Sequence, residues 1–409
     1  MIEGSQCTIA WYVDDTKISH IKANVVTMVI ERIETKFGKM TVTRGKSHVF
    51  LGMDIHFLGD GNLSIGMKGY LKEAIQEFGD DVSKQAATPA RKNIFEVAAD
   101  SPLLENGKAE VYHKVVAKLL YVSHRGRPDI QLAVAFMCTR VSCSTDQDWF
   151  KLKRLLQYLN RTLDDVLTLG ADSLTKLVTW VDAAYGVHKD MKSHTGGAMS
   201  LGLGTVMCKS SKQKLNTKSS TEAELVGASD YLPNTIWAKM FLESQGYKVQ
   251  ENRFLQDNQS AMKLEINGRA SCGQKSRHID IRYFFMKDRI KTEGIDVLYC
   301  PTEEMLADFF TKPLQGSLFL KFKRVIMGEA HISTLDRTSL VAPVKERVEE
   351  SKKSEINKRV TRVTCEKGLP GTNRQTDGED LTSIQGMKET YANVLRRSAT
   401  DSDESHSIG

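Results

Sequence analysis

Several carboxylates in this chain stand where chemistry is possible. "TIAWYVDDTKISH" sets Asp14 and Asp15 side by side inside an otherwise apolar stretch. Such a pair calls for a metal or a partner, and usually for a third acid. Further along, Asp182 ends the strand-like "KLVTWVDAAYG", and Glu224 stands in the first turns of a helix opening at "SSTEAEL", with Glu222 as the alternative. Asp257 follows "NRFLQ", and Asp308 lies in "TEEMLADFF". Clustered carboxylates repel one another and destabilise a fold unless a divalent cation neutralises them. Mg²⁺ or Mn²⁺ suits all-oxygen ligands. Two such ions about 4 Å apart would activate a water and stabilise the leaving oxygen of a phosphodiester. A single Asp at a strand end is more often a turn former, so the chemistry depends on whether the fold brings these acids together.

The elements that would position them can be read from periodicity. Residues 1–165 read as α+β. The Asp14–Asp15 pair sits at the tip of two strands, and "VVTMVIERIETKFG" has helical spacing. "HVFLGMDIHFLGDGNLSIGM" reads as strand, Gly-Asp-Gly-Asn turn, strand. Helices follow at "YLKEAIQEFG", at "VYHKVVAKLLYVSH", from Pro128, and at "STDQDWFKLKRLLQYLNRT", the last with a Ser/Thr cap. From Lys176 the order is β-β-β-α-β-α-α-β-α, with "TEEMLADFFTKPL" as the final helix. That order predicts a mixed sheet with helices packed on both faces. If the strands of Asp182 and Asp257 are neighbours, the two acids face each other and a crossing helix brings Glu224 close. Residues 329–409 hold one aromatic, Tyr391, and repeated charge clusters such as "VKERVEESKKSEINKR", which predicts disorder.

Composition narrows the class. At 409 residues, 40% hydrophobic and 26% charged, the chain has room for two or three domains. Its seven cysteines (Cys7, Cys138, Cys143, Cys208, Cys272, Cys300, Cys365) form no CxxC pair. That scatter suggests reduced thiols in the cytoplasm or nucleus. No basic-then-apolar leader is evident, and no apolar run is long enough to span a bilayer, so neither secretion nor a membrane role is expected. The net charge of +6 is mildly favourable to a polyanionic partner.

The flanking residues sharpen the picture. "YVDD" resembles the polymerase hairpin of reverse transcriptases, and "FLGMDI" with "YLKEAI" resembles the segment after it. "LLYVSHRGRPDIQLAV" and "DWFKLKRLLQYLNRT" are similar to a connecting region. "WVDAAYG", "HTGGAMSLG", "SSKQKLNTKSSTEAELVGAS", "QDNQSAMKLEING", "RHIDIRYFFMKD" and "MLADFFTKPL" resemble a ribonuclease H domain. From about Thr8 to Gly328, the chain resembles the C-terminal part of the Pol polyprotein of copia-type long-terminal-repeat retrotransposons, with the motifs in that family's order.

This resemblance implies a truncated reverse-transcriptase palm, thumb and connection region over 1–165. A ribonuclease H-like five-stranded mixed sheet with flanking helices follows over 174–328, able to fold alone, and then the charged tail over 329–409. It implies that Asp182, Glu224, Asp257 and Asp308 bind Mg²⁺ or Mn²⁺ and carry hydrolysis of the RNA strand of RNA/DNA hybrids. Glu222, two residues from Glu224, points about 200° around the helix, so only one of the two can face the metals. Asp14 and Asp15 would be two of the polymerase's metal ligands. The only acid before them is Glu3, so polymerase activity is not expected from this chain alone, and another Pol chain would have to supply the missing palm. Lys209, Lys212, Lys214 and Lys218 would hold phosphates of the DNA strand or else form a solvated strand edge. His278 would aid substrate handling or else cap and pack. A nucleic-acid-binding remnant without catalysis is the alternative reading.

Overall fold

A computed structural model describes residues 1–267 and 277–335, apart from the side chains of 277–281 and 283. The tail beyond Leu335, Cys272, Cys365 and the His278 side chain lie outside the described residues.

The opening stretch folds as the expected hairpin. β1 (Thr8–Tyr12) pairs antiparallel with β2 (Asp15–Ser19), Tyr12 opposite Asp15. Asp14 is in the turn, preceded by Val13 at φ +49°. Ile9, Trp11, Tyr12 and Val13 are exposed. After α1 (Ala23–Phe37), "HVFLGMDIHF" departs from the single strand its pattern predicts. It doubles back as β3 (Ser47–Phe50) and β4 (Met53–Phe57). Leu51 and Gly52 make the two-residue turn at φ +52° and +70°, the backbone hand that matches the twist of paired strands. β5 (Leu63–Gly66), α2 (Lys68–Phe78), α3 (Asn106–Arg125), α4 (Gln131–Cys138) and α5 (Asp146–Arg161) follow. The Thr145 side chain and Asp148 form a reciprocal cap that starts α5.

The second half supplies β6 (Leu167–Ala171), β7 (Lys176–Ala184), β8 (His194–Ser200), the short β9 (Gly202–Leu203) and β10 (Met207–Lys212). Then come α6 (Ser220–Ser244), β11 (Glu251–Gln256), α7 (Gln259–Asn267), α8 (Arg277–Glu293), β12 (Asp296–Tyr299) and α9 (Gly316–Ile326). The segment carrying Asp308 is not the helix its apolar spacing predicts. It forms two 3₁₀ turns, Thr302–Glu304 and Leu306–Phe310, because the backbone of Met305 leaves the helical region at ψ 88°. The helix begins only after Pro313.

The expected mixed sheet is present, in the order β10-β8-β7-β11-β12. β10, β8 and β7 are antiparallel neighbours, while β7, β11 and β12 run parallel. A second five-stranded sheet, β3-β4-β5-β6-β9, joins the two halves of the chain, its partners too far apart in sequence to be foreseen. Helices cover both faces of the mixed sheet. On one, Val181, Phe254 and Val297 pack with Leu225, Tyr231 and Met286 of α6 and α8. On the other, Val178, Trp180 and Ala198 share a single core with Leu119, Leu152 and Phe322. Each large apolar side chain buried there contributes roughly 1.5–3 kcal/mol. The segment from 174 thus has one core of its own, on the α6 and α8 face, and shares a second with the preceding helices. Folded structure also extends past 328: Leu335 is buried in the same core, and His331 pairs with Asp172 at 2.9 Å.

Candidate metal centre

Strand pairing brings the first two acids together. β11 runs parallel to β7 with Leu255 opposite Trp180, and that register carried on two residues sets Asp257 beside Asp182. The third comes from α6, which crosses this sheet closely. A Cβ on Gly227 would lie 3.3 Å from the Ala183 side chain, so the small residue lets the helix axis approach β7 there. Glu224, one turn earlier, is carried down to the strand ends. Asp182, Glu224 and Asp257 each offer an oxygen within 4.8 Å of the others, the single such group of metal-capable side chains among the described residues.

Asp308 enters from the 3₁₀ turn that lies on β8. Gly196 makes this possible. It pairs opposite Asp182, and a Cβ on it would meet Thr311 Cγ2 at 2.6 Å and the Ala307 carbonyl at 2.8 Å. Past the turn, the Thr311 hydroxyl donates to Asp182 Oδ2. Lys312 Nζ stands 2.7 Å from Asp308 Oδ1 and 3.7 Å from Asp182 Oδ1.

Electrostatics mark the group as strained when it lacks a cation. Burial, followed by Asp182 and Asp257, holds the Glu224 carboxyl well above the usual range. Burial and Asp182 also raise Asp257. Burial and Asp182 push Asp308 up to about 7 against the pull of Lys312. Asp182, Glu224 and Asp308 are at most 5% exposed, and Glu224 Oε2 is buried with no hydrogen-bond partner. A buried, unpartnered carboxylate oxygen on an acid grouped with two others fits a hard divalent cation.

The other sequence candidates fall elsewhere. Glu222 is a cap: its Oε2 accepts from the Lys218 backbone N–H at 2.8 Å, while Ser219 Oγ accepts from the Glu222 N–H. That geometry turns it away from the cluster. Asp14 and Asp15 belong to no group of three metal-capable side chains among the described residues. Lys209 is engaged at the Asp230 carbonyl and Lys212 at Asp190, whereas Lys214 and Lys218 are exposed. Lys209 and Lys212 lie on β10, an edge strand. Thr311, Lys312 and Gly196 escaped the sequence reading. The signal for Lys312 was its place four residues after Asp308. Another buried acid, Glu265 on α7, also went unnoticed.

No protein-family model matches the chain. It is 27% identical over 321 residues to the retrovirus-related Pol polyprotein from transposon TNT 1-94 of Nicotiana tabacum, covering 77% of this chain and 24% of that protein. A similar polyprotein from transposon RE2 of Arabidopsis thaliana is 27% identical over 317 residues, covering 77% and 21%. The putative transposon Ty5-1 protein of Saccharomyces cerevisiae is 28% identical over 226 residues, covering 54% of this chain and 71% of its own length. The chain thus spans about a quarter of the two plant polyproteins. Among solved structures, a foamy viral protease-reverse transcriptase in complex with an RNA/DNA hybrid aligns with a TM-score of 0.44 at 14% identity, covering 72% of this chain and 36% of that one. Among the described residues, no helix is long and apolar enough to cross a membrane.

Proposed function

We propose that this chain, a homologue of the retrovirus-related Pol polyproteins of copia-type transposons, is a metal-dependent ribonuclease H that hydrolyses the RNA strand of RNA/DNA hybrids. The observation that carries the reading is the convergence of Asp182, Glu224 and Asp257 within 4.8 Å, with Asp308 closing the group through Lys312.

Asp182, Glu224, Asp257 and Asp308 would hold Mg²⁺ or Mn²⁺. Bound there, divalent ions supply the Lewis acidity that eases deprotonation of the attacking water and stabilises the departing oxygen. The chain's own part is positioning. The Thr311 hydroxyl fixes one Asp182 oxygen, and the other stands 3.7 Å from Lys312 Nζ. Burial of Glu224 and Asp308 keeps competing water away and strengthens every charge interaction inside. Asp257, part exposed at the strand end, stands where a phosphodiester can reach it. Selection of a hybrid would rest on its shape and on its 2′-hydroxyls, so little sequence preference is expected.

The test is cleavage of a labelled RNA/DNA hybrid by the full chain in Mg²⁺, with Asp257→Asn as the control. The reading expects the RNA strand cut, the DNA strand intact, and a loss on the order of a hundredfold or more in the variant. A folded, Mg²⁺-binding chain that leaves the RNA intact would reject it.

A further inference from the structure

A second feature sits on the far side of the Lys312 turn. Beside α5, a cleft of about 600 Å³ is lined by Lys84, Arg91, Lys153, Arg154, Phe150 and the single acid Asp81, among others. Its charges are not balanced within the fold. Lys153 pairs with Asp80 at 3.1 Å, and Asp81 is held by the Ser83 backbone N–H. Among the described residues, Lys84, Arg91 and Arg154 form no ion pair with a carboxylate. Burial and the nearby Arg91 both depress the Arg154 guanidinium. Arg154 gives one N–H to Thr88 Oγ1 at 3.1 Å, but its Nε is buried with no acceptor. Two guanidiniums without a carboxylate partner line one cleft and leave a place for an anionic oxygen. Phe150 at the same cleft is 67% exposed, an aromatic face available to a sugar or base.

The cleft shares part of its wall with the Lys312 turn. Pro89 and Ala90 line it on one side, and the same two residues line a small cavity bounded by Lys312 and Pro313.

We infer that the cleft between Arg91 and Arg154 is a phosphate-backbone site that holds the nucleic acid beyond the point of cleavage. The inference deepens the ribonuclease H reading and rests on it for the identity of the polyanion. An open cleft with several separate cations and an aromatic suits an extended backbone better than a lone phosphate ion.

The experiment measures binding of a fluorescently labelled RNA/DNA hybrid to the full chain by anisotropy across a salt series. The proteins compared are the wild type, Arg91→Gln and the Arg91→Gln, Arg154→Gln double variant. Arg91 is exposed, so its single replacement keeps the fold, and urea unfolding checks the double variant. Affinity is expected to fall about tenfold in the double variant. The slope of log affinity against log salt should fall by about one for each phosphate that the variant no longer neutralises. Unchanged affinity and slope in both variants would overturn the site, including the case where the cleft serves an acidic protein instead. The two readings fail separately. Wild-type binding that depends on Arg91 without any RNA cleavage removes the ribonuclease reading and keeps the site. Cleavage with binding indifferent to both arginines does the reverse.

Discussion

Lys312 places its ammonium 2.7 Å from Asp308 Oδ1 and 3.7 Å from Asp182 Oδ1, so that one flexible cation answers two buried acids from different elements. Burial alone would depress this ammonium, but Asp182 and Asp308 outweigh it and hold its pKa above the ordinary lysine value. The lysine side chain is 41% exposed, which leaves it room to withdraw when another cation arrives.

Lys312→Met should therefore matter most without a divalent ion. Discounted for its exposure, the loss is expected to be about 1–2 kcal/mol in metal-free buffer. Mg²⁺ should then raise the melting temperature of the variant more than that of the wild type, because it restores the missing positive charge. Thermal unfolding with and without Mg²⁺ decides the matter. An equal Mg²⁺ increment in both proteins would show that Lys312 is not the cluster's counter-charge.

Gly196→Ala tests how the turn carrying Asp308 is seated. The new methyl would lie 2.6 Å from Thr311 Cγ2, 2.8 Å from the Ala307 carbonyl and 2.9 Å from Phe310 Cβ, and backbone cannot yield to it. The turn must lift from β8 and take Asp308 with it. Stability should fall by about 1–3 kcal/mol. Hybrid cleavage should fall further, on the order of a hundredfold for a shift near 1 Å. Turnover measured well below the melting temperature separates the two effects, and a variant with reduced stability but wild-type turnover would show that the turn tolerates displacement.

Much of this architecture was legible because it is local. The apolar run in "KLVTWVDAAYG", the strand-like "NRFLQ" and the helix opening at "SSTEAEL" mark the elements that carry Asp182, Asp257 and Glu224. Ser219 and Glu222 have the chemistry of a helix cap, and that is what they form. The stretch "TEEMLADFFTKPL", with Leu306, Phe309 and Phe310 among its apolar residues, reads as a final helix carrying Asp308. A single backbone angle at Met305 redirects them into 3₁₀ turns, and apolar spacing carries no trace of it. The β5–β6 pairing joins Leu63 to Leu169, and the core shared across residue 174 likewise joins segments far apart in the chain, beyond any local pattern. Gly196 and Gly227 look like ordinary strand and helix glycines until the neighbouring element is in place.

The "RGRPDI" stretch holds the helical part together by a buried charge pair. Arg127 donates to both Asp129 oxygens, at 2.9 and 2.8 Å, and to the Thr162 carbonyl at 2.7 Å. Tyr158 Oη adds a bond to Asp129 at 2.6 Å. Both charged side chains are at most 1% exposed. Asp129→Asn leaves the buried guanidinium with only the more distant Asp165, at 3.9 Å, as counter-charge and should cost about 3 kcal/mol in urea unfolding. Replacing both residues by apolar ones of similar volume should cost less than the single change. A double replacement as costly as Asp129→Asn would mean that the bonds to Thr162 and Tyr158, rather than the stranded charge, dominate.

Glu265 gives a pH dependence whose sign can be worked out. Its side chain is fully buried on α7, with Oε1 accepting from Gln256 Nε2 at 3.3 Å and Oε2 without a partner. Burial pushes its pKa up to about 7 from an ordinary 4.5, and the Gln256 bond only partly opposes this. Between those values the folded chain keeps a proton that the unfolded chain has released. Stability therefore falls as pH rises through this window and levels off above it. The integrated loss is about 3 kcal/mol. Glu265→Gln keeps the shape and cannot ionise. Wild type and variant should unfold at the same urea concentration near pH 4.5. By pH 8 the variant should be the more stable, by up to about 3 kcal/mol. A constant difference at both pH values would mean that packing of the amide, and not the cost of burying a carboxylate, separates them.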